Sequence, residues 1–212
     1  MATDAEDPFA HVALDGDAES VGQVLQGFRA RIARMVAVRM DPRLRGRLDA
    51  SDVIQETYLE VHQRIEDFRS KSEMPFFLWV RFLALQKLVQ MHRRHLGADK
   101  RDARREVPDA LRTMPGASSV TLAGALLSGG VTPSEVAMRL EDEEKLIRVL
   151  DELRELDREV LALRHFEGLS NQEVSQVLGI EPAAASRRYI RALARMQENF
   201  RLAQLGGEGR RL

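Results

Sequence analysis

The sequence predicts an all-α protein of two small helical domains joined by a flexible linker, and three observations predict it. Apolar residues recur at three- and four-residue steps, which gathers them on single helix faces. Helix-start chemistry, an Asp, Ser or Thr cap or a Pro in the first turn, stands ahead of these stretches. Between Val107 and Val131 the composition shifts to Gly, Ser, Ala, Pro and Thr, the mark of a linker. No stretch reads as a convincing strand.

Residues 1–19 form an acidic lead-in. From Val21 a helical pattern begins, with Val21, Leu25, Phe28, Ile32, Met35 and Val36 on one face, and Asp41-Pro42 stops it. Asp49 caps a second helix whose stripe is Ile54, Tyr58, Val61, Ile65 and Phe68. Arg69 to Met74 is polar and reads as a loop, and Pro75 opens the next helix. That third helix is apolar nearly all round, through Phe76, Phe77, Leu78, Trp79, Val80, Phe82, Leu83 and Leu85, and is expected at the centre of a bundle. Its far end turns polar and basic at Lys87, Gln90, Arg93 and Arg94, and basic residues continue through Lys100, Arg101, Arg104 and Arg105. Residues 20–106 make the first domain, 107–131 the linker (with one short helical piece around Leu122 to Leu127), 132–203 the second domain and 204–212 a tail. Thr132, Pro133 and Glu135 form a capping box at the second domain's start, followed by a helix with Leu146, Val149, Leu150 and Leu153 on one face. A further helix, Arg158 to Phe166, stops at Gly168.

Composition excludes several functions. The 212 residues include no cysteine, so disulfides, thiolate metal sites and cysteine nucleophiles are out. The longest apolar run, Phe76 to Val80, is far too short to span a membrane, and no secretion signal is visible, so a cytoplasmic location is expected. The formal net charge of −1 conceals segregation: −6 over residues 1–26, +7 over 27–112, −5 over 135–160 and +3 over 161–212. Contact with nucleic acid needs a local basic face, not a basic whole. His92, His95 and Asp99 are spaced like a metal-ligand set, but Arg93 and Arg94 intervene and disfavour a cation. No catalytic residues, cofactor or metal are expected.

The most informative stretch is Leu169 to Met196. Ser170 and Glu173 form a capping box, Val174, Val177 and Leu178 give an apolar face, Gly179 permits a tight turn and Ile180 plugs it. Pro182 starts a second helix that turns Ala185, Tyr189, Ala192, Leu193 and Met196 inward. Ala184, Ser186, Arg187, Arg188 and Arg191 are expected outward. This is a helix-turn-helix layout, in which the second helix enters the major groove and Arg meets a guanine edge or a phosphate.

The run Asp157-Arg-Glu-Val-Leu-Ala-Leu-Arg-His-Phe-Glu-Gly-Leu-Ser-Asn-Gln-Glu-Val, with Leu178-Gly179-Ile180 and Arg187-Arg-Tyr-Ile-Arg-Ala-Leu-Ala-Arg, resembles the C-terminal DNA-binding region of bacterial sigma factors. Upstream, Asp52-Val-Ile-Gln55-Glu56-Thr is similar to their most characteristic helix, and Phe76 to Arg94 to their promoter-melting helix. The resemblance spans residues 20 to 200, and the short chain resembles the extracytoplasmic-function group. It implies that Asp52, Gln55 and Glu56 dock on core RNA polymerase. It implies that Lys71, in the loop 69–74, and Lys87, Gln90, Arg93 and Arg94 meet the minus-ten promoter element. It implies that Ser186, Arg187, Arg188 and Arg191 face the minus-thirty-five element, and that an anti-sigma factor is a further partner. Asp52 and Glu56, four apart, do share a helix face. Trp79 is either a stacking platform for a flipped base or core, and core is favoured for a lone Trp in so apolar a helix. His62 stands where the family often has Trp, and Ser186 and Ala184 replace its frequent Lys and Thr, which leaves the promoter sequence open.

Two rivals remain. A sigma mimic that sequesters an anti-sigma factor has no need of the basic residues retained here. A stand-alone helix-turn-helix regulator has no need of the Asp52-Gln55-Glu56 helix and would dimerise on a palindrome.

Overall fold

A computed structural model describes residues 15–44, 46–71, 74–96, 116–127 and 143–208, with Phe9 and Val12. The described residues are helical and contain no strand. The chain divides into two compact units, Met1–Asp102 and Ala103–Leu212.

The first unit holds α1 (Ala18–Arg39), a short 3-10 turn (Pro42–Leu44), α2 (Ala50–Lys71) and α3 (Phe76–Leu96). The Asp17 carboxylate caps α1 by accepting from Ser20 N–H at 2.9 Å. The six residues of the expected α1 face are all buried. At the head of α2, Asp49 Oδ1 accepts from the N–H groups of Ser51 (2.6 Å) and Asp52 (3.1 Å), and Asp52 Oδ2 accepts from Asp49 N–H at 2.9 Å. This reciprocal cap satisfies backbone donors that the helix cannot. The three helices pack pairwise. Between them Phe28, Phe68, Phe76, Phe77 and Trp79 form one aromatic cluster, with centroid separations from 5.0 to 5.9 Å. Each such pair contributes about 0.5–1.5 kcal/mol beyond its buried area. Trp79 is core, as expected, whereas Phe82 departs from the expected all-round burial and is exposed. Phe9, from the acidic lead-in, packs edge-on against Phe28 at 5.1 Å.

The turn after α1 is tied to the far end of α3. Asp41 accepts from Arg43 Nη2 at 2.8 Å, and Asp41 N–H donates to His92 Nε2 at 3.3 Å. His92 is therefore a hydrogen-bond acceptor at the bundle end. Burial pushes its imidazole below the usual histidine value, against the pull of the Asp41 carboxylate. A depressed folded value means that this contribution to stability is present above about pH 6.5 and is lost as pH falls through the folded value. The thermal midpoint of the first unit is expected to drop as pH falls below about 6.5, and His92→Gln to flatten that drop; an unchanged slope contradicts this role. Asp41, held at about 2 chiefly by its bond to Arg43, acts in a separate window, between its ordinary 3.8 and about 2.

The second unit contains α4 (Ser119–Leu127), α5 (residues 143–151), α6 (Glu155–Leu161) running into a π-turn (Ala162–Phe166), α7 (Asn171–Leu178) and α8 (Pro182–Glu208). The segment expected to be linker is in part folded. Leu122 and Ala123 of α4 are fully buried, and Ser119 Oγ donates to Asp151 Oδ1 at 2.6 Å. Gly124 lies beside Glu143, so α4 runs antiparallel to α5. The α4 sequence has no charged residue, so nothing in it contrasts an outer face with an inner one. The helix expected from Arg158 starts earlier, at Glu155, and its end is π-wound, with Glu167 N–H donating to Ala162 C=O at 3.0 Å. Gly168, at φ 71°, then turns the chain. The expected cap at Thr132, Pro133 and Glu135, the basic run Lys100, Arg101, Arg104 and Arg105, and the Lys71 side chain lie outside the described residues.

Candidate nucleic-acid and polymerase interfaces

The helix-turn-helix forms from local chemistry. Ser170 Oγ accepts from Glu173 N–H at 3.1 Å, and Glu173 Oε2 accepts from Ser170 N–H at 2.7 Å. Such a cap contributes about 1 kcal/mol. Gly179 takes the left-handed conformation (φ 62°), which a side chain rarely adopts. Asn171 Nδ2 donates to Pro182 C=O at 2.7 Å and ties the start of α8 to the start of α7. Ala185 and Ala192 of α8 are buried, and the Arg164 guanidinium lies 5.4 Å from the Tyr189 ring.

Ser186, Arg187 and Arg191 are exposed, on the outer side expected for them. Arg188 is turned inward. Its Nη1 is 3.3 Å from Asp157 Oδ1, and its side chain is 29% exposed. Sequence periodicity missed Ile190, which is 66% exposed between Arg187 and Arg191. Its signal was a β-branched residue outside the inward set.

In the first unit, the exposed stripe of α3 comprises Phe82, Gln86, Gln90 and Arg93, beside exposed Arg94. Phe82 and Gln86 were not expected there. Lys87 is withdrawn from the stripe: its Nζ is 2.8 Å from Glu60 Oε2, and its side chain is 17% exposed. Arg64 shares Glu60 at 3.2 Å, and the Lys87 hydrogen bond is the main reason the Glu60 carboxyl sits below its usual range. Lys87 thus joins α3 to α2.

On α2, Asp52 and Gln55 are exposed and Glu56 is half-buried. Leu59 is 64% exposed, three positions past Glu56 and four past Gln55, so it shares their face. Asp52 also closes the cap described above, which holds its carboxylate at the head of this face. A large apolar side chain ringed by Gln and acids is the composition of a docking surface for a partner with a basic rim.

The fold and these faces define a two-domain helical protein that reads DNA with a helix-turn-helix. The chain matches the family models "Sigma-70 region 2" over residues 28–96 and "Sigma-70, region 4" over residues 143–196. It is 28% identical over 197 residues to RNA polymerase sigma factor CnrH of Cupriavidus metallidurans, covering 91% of this chain and 93% of that protein. It is 25% identical over 188 residues to ECF RNA polymerase sigma factor SigD of Mycobacterium tuberculosis, covering 89% of this chain and 80% of that one. The solved structure of CnrH in complex with the cytosolic domain of CnrY has the same fold, with TM-score 0.50 and 21% identity, over 92% of this chain and 96% of that chain. The chain belongs to the sigma-70 family of RNA polymerase sigma factors, of the extracytoplasmic-function type, and carries regions 2 and 4 in that order. Such proteins are regulators of transcription initiation. No helix among the described residues is long and apolar enough to cross a membrane.

Proposed function

We propose that this sigma factor engages core RNA polymerase through the α2 face of Asp52, Gln55, Glu56 and Leu59 and reads promoters with two separate surfaces. The minus-ten surface is the α3 stripe of Phe82, Gln86, Gln90 and Arg93, with Arg94 and Lys71. A basic groove with an exposed aromatic suits unstacked bases. The minus-thirty-five surface is Ser186, Arg187, Ile190 and Arg191 of α8, where Arg meets guanine or phosphate and Ile190 suits a thymine methyl. Lys87 ties α3 to α2 through Glu60 rather than acting on DNA. The observation that carries this reading is the order of the two family regions together with the helix-turn-helix geometry of the second.

A relative, CnrH, is described in complex with the cytosolic domain of CnrY. An anti-sigma factor is a further partner proposed for this chain, and the cytoplasm, where core polymerase works, is the proposed location. The mimic reading is disfavoured by exposed Arg187 and Arg191, which a protein that only sequesters an antagonist does not need. Promoter-specific initiation by core polymerase supplied with this chain tests the proposal.

A further inference from the structure

We propose that Asp157 is a positioning residue for the recognition helix, and that Arg188 and Arg195 serve this lock rather than DNA. The inference rests on the reading of α8 as the helix that contacts the promoter.

The Asp157 carboxylate, on α6, has no solvent exposure. It accepts from Arg154 Nη2 at 2.9 Å and Nε at 3.1 Å, from Arg188 Nη1 at 3.3 Å and from Arg195 Nη1 at 3.3 Å. Two of these three partners stand on α8, seven residues and so about two turns apart, on one face. A buried carboxylate without partners is strongly unfavourable, so the helix orientations that supply both arginines are selected over those that do not.

Among the described residues of α8, Ala185 and Ala192 are fully buried and Tyr189, Leu193 and Met196 half-buried, so apolar packing seats the helix but does not by itself distinguish Arg187 from Arg188. Two charge-assisted hydrogen bonds two turns apart are directional, and they fix the rotation of α8 about its axis. The consequence is a sorting of neighbours. Arg187 and Arg188 are adjacent and about 100° apart around the helix. Asp157 draws Arg188 inward and thereby leaves Arg187, Ile190 and Arg191 to the groove. An isosteric apolar residue could fill the space at 157 but could not choose between the two arginines.

The test uses the full chain with core polymerase, a duplex enriched from a randomised pool by the unaltered complex, and a scrambled duplex. Arg188→Gln and Arg195→Gln are each expected to lower discrimination between the duplexes about tenfold, the scale of a lost base contact. Both leave the slope of log affinity against log salt unchanged. Arg187→Gln reduces that slope by about 0.9, as loss of a phosphate contact does. Asp157→Asn reproduces the loss of discrimination, and combining it with Arg188→Gln adds nothing further. Circular dichroism at the assay temperature checks that each variant is folded, and the two arginine variants decide the matter if Asp157→Asn is not. Undiminished discrimination in both arginine variants, or a slope that falls with Arg188→Gln, overturns the lock. A second arm needs no DNA. The chain has two tyrosines, Tyr58 in the first unit and Tyr189 on α8. With ring-labelled tyrosine, Arg195→Gln, six positions from Tyr189, is expected to shift the Tyr189 resonance and leave that of Tyr58 in place; an unmoved Tyr189 overturns the lock. Failure of the promoter reading itself would show differently, as no discrimination by the unaltered chain, and the tyrosine arm then decides the lock alone.

Discussion

Leu59→Arg is expected to weaken binding to core RNA polymerase by about a hundredfold. Burying an exposed leucine in an interface contributes about 1.5–3 kcal/mol, and 1.4 kcal/mol is a factor of ten. Arginine removes that gain and sets a cation among Gln55, Glu56 and Asp52, where a basic partner is expected. Leu59 is 64% exposed, so the substitution disturbs little of the first unit's core, and the thermal midpoint should hardly move. Glu56→Arg acts in the same direction with a smaller effect, because its contribution is electrostatic and lies at the rim. Neither change should alter DNA contact by the second unit. Titration of fluorescent core polymerase with each variant measures the effect. Unchanged affinity for Leu59→Arg would place the docking face elsewhere on the first unit.

Arg187→Gln combined with Arg191→Gln is expected to lower promoter affinity of the polymerase complex by about a hundredfold. Each arginine that meets a base edge or phosphate contributes about 1–3 kcal/mol. Both side chains are exposed and sit on the outer side of α8, so the loss falls on DNA binding and not on folding. Binding to core polymerase should persist, because the α2 face is untouched. A filter-binding or fluorescence titration at fixed salt reads the change. A double variant with full promoter affinity would remove α8 as the reading helix.

The starts of α2, α7 and α8 were legible because each is marked by a residue acting within its own turn, whereas α6 begins at Glu155 behind Arg154, which makes no side-chain cap, and was read three residues late. Asp49, Ser170, Gly179 and Pro182 all do in the structure what their chemistry implied. The inward faces were legible for the same reason, since periodicity is local. The misplaced cations each have a partner distant in sequence. Nothing near Arg188 announces that Asp157, 31 positions away, will draw it inward. Lys87 and Glu60 meet only because α2 and α3 pack side by side. Periodicity gives a face to within one turn, and tertiary pairing then decides which of two adjacent cations stays in solvent. Docking of α4 escaped notice because an uncharged helix of small residues carries the composition of a linker. Phe82 was absorbed by its apolar neighbours, and Leu59, off the α2 stripe, was given no role. Only the packed bundle shows that Phe82 stands outside it.

The most direct test of the account is transcription by purified core RNA polymerase, with and without this chain, on a pool of genomic promoter fragments from the organism that encodes it. The chain is expected to bind the core and direct initiation at a set of promoters that the core alone ignores, with protection of two separate elements upstream of the start. Absence of a complex, or a complex that initiates no differently from the core alone, would contradict it.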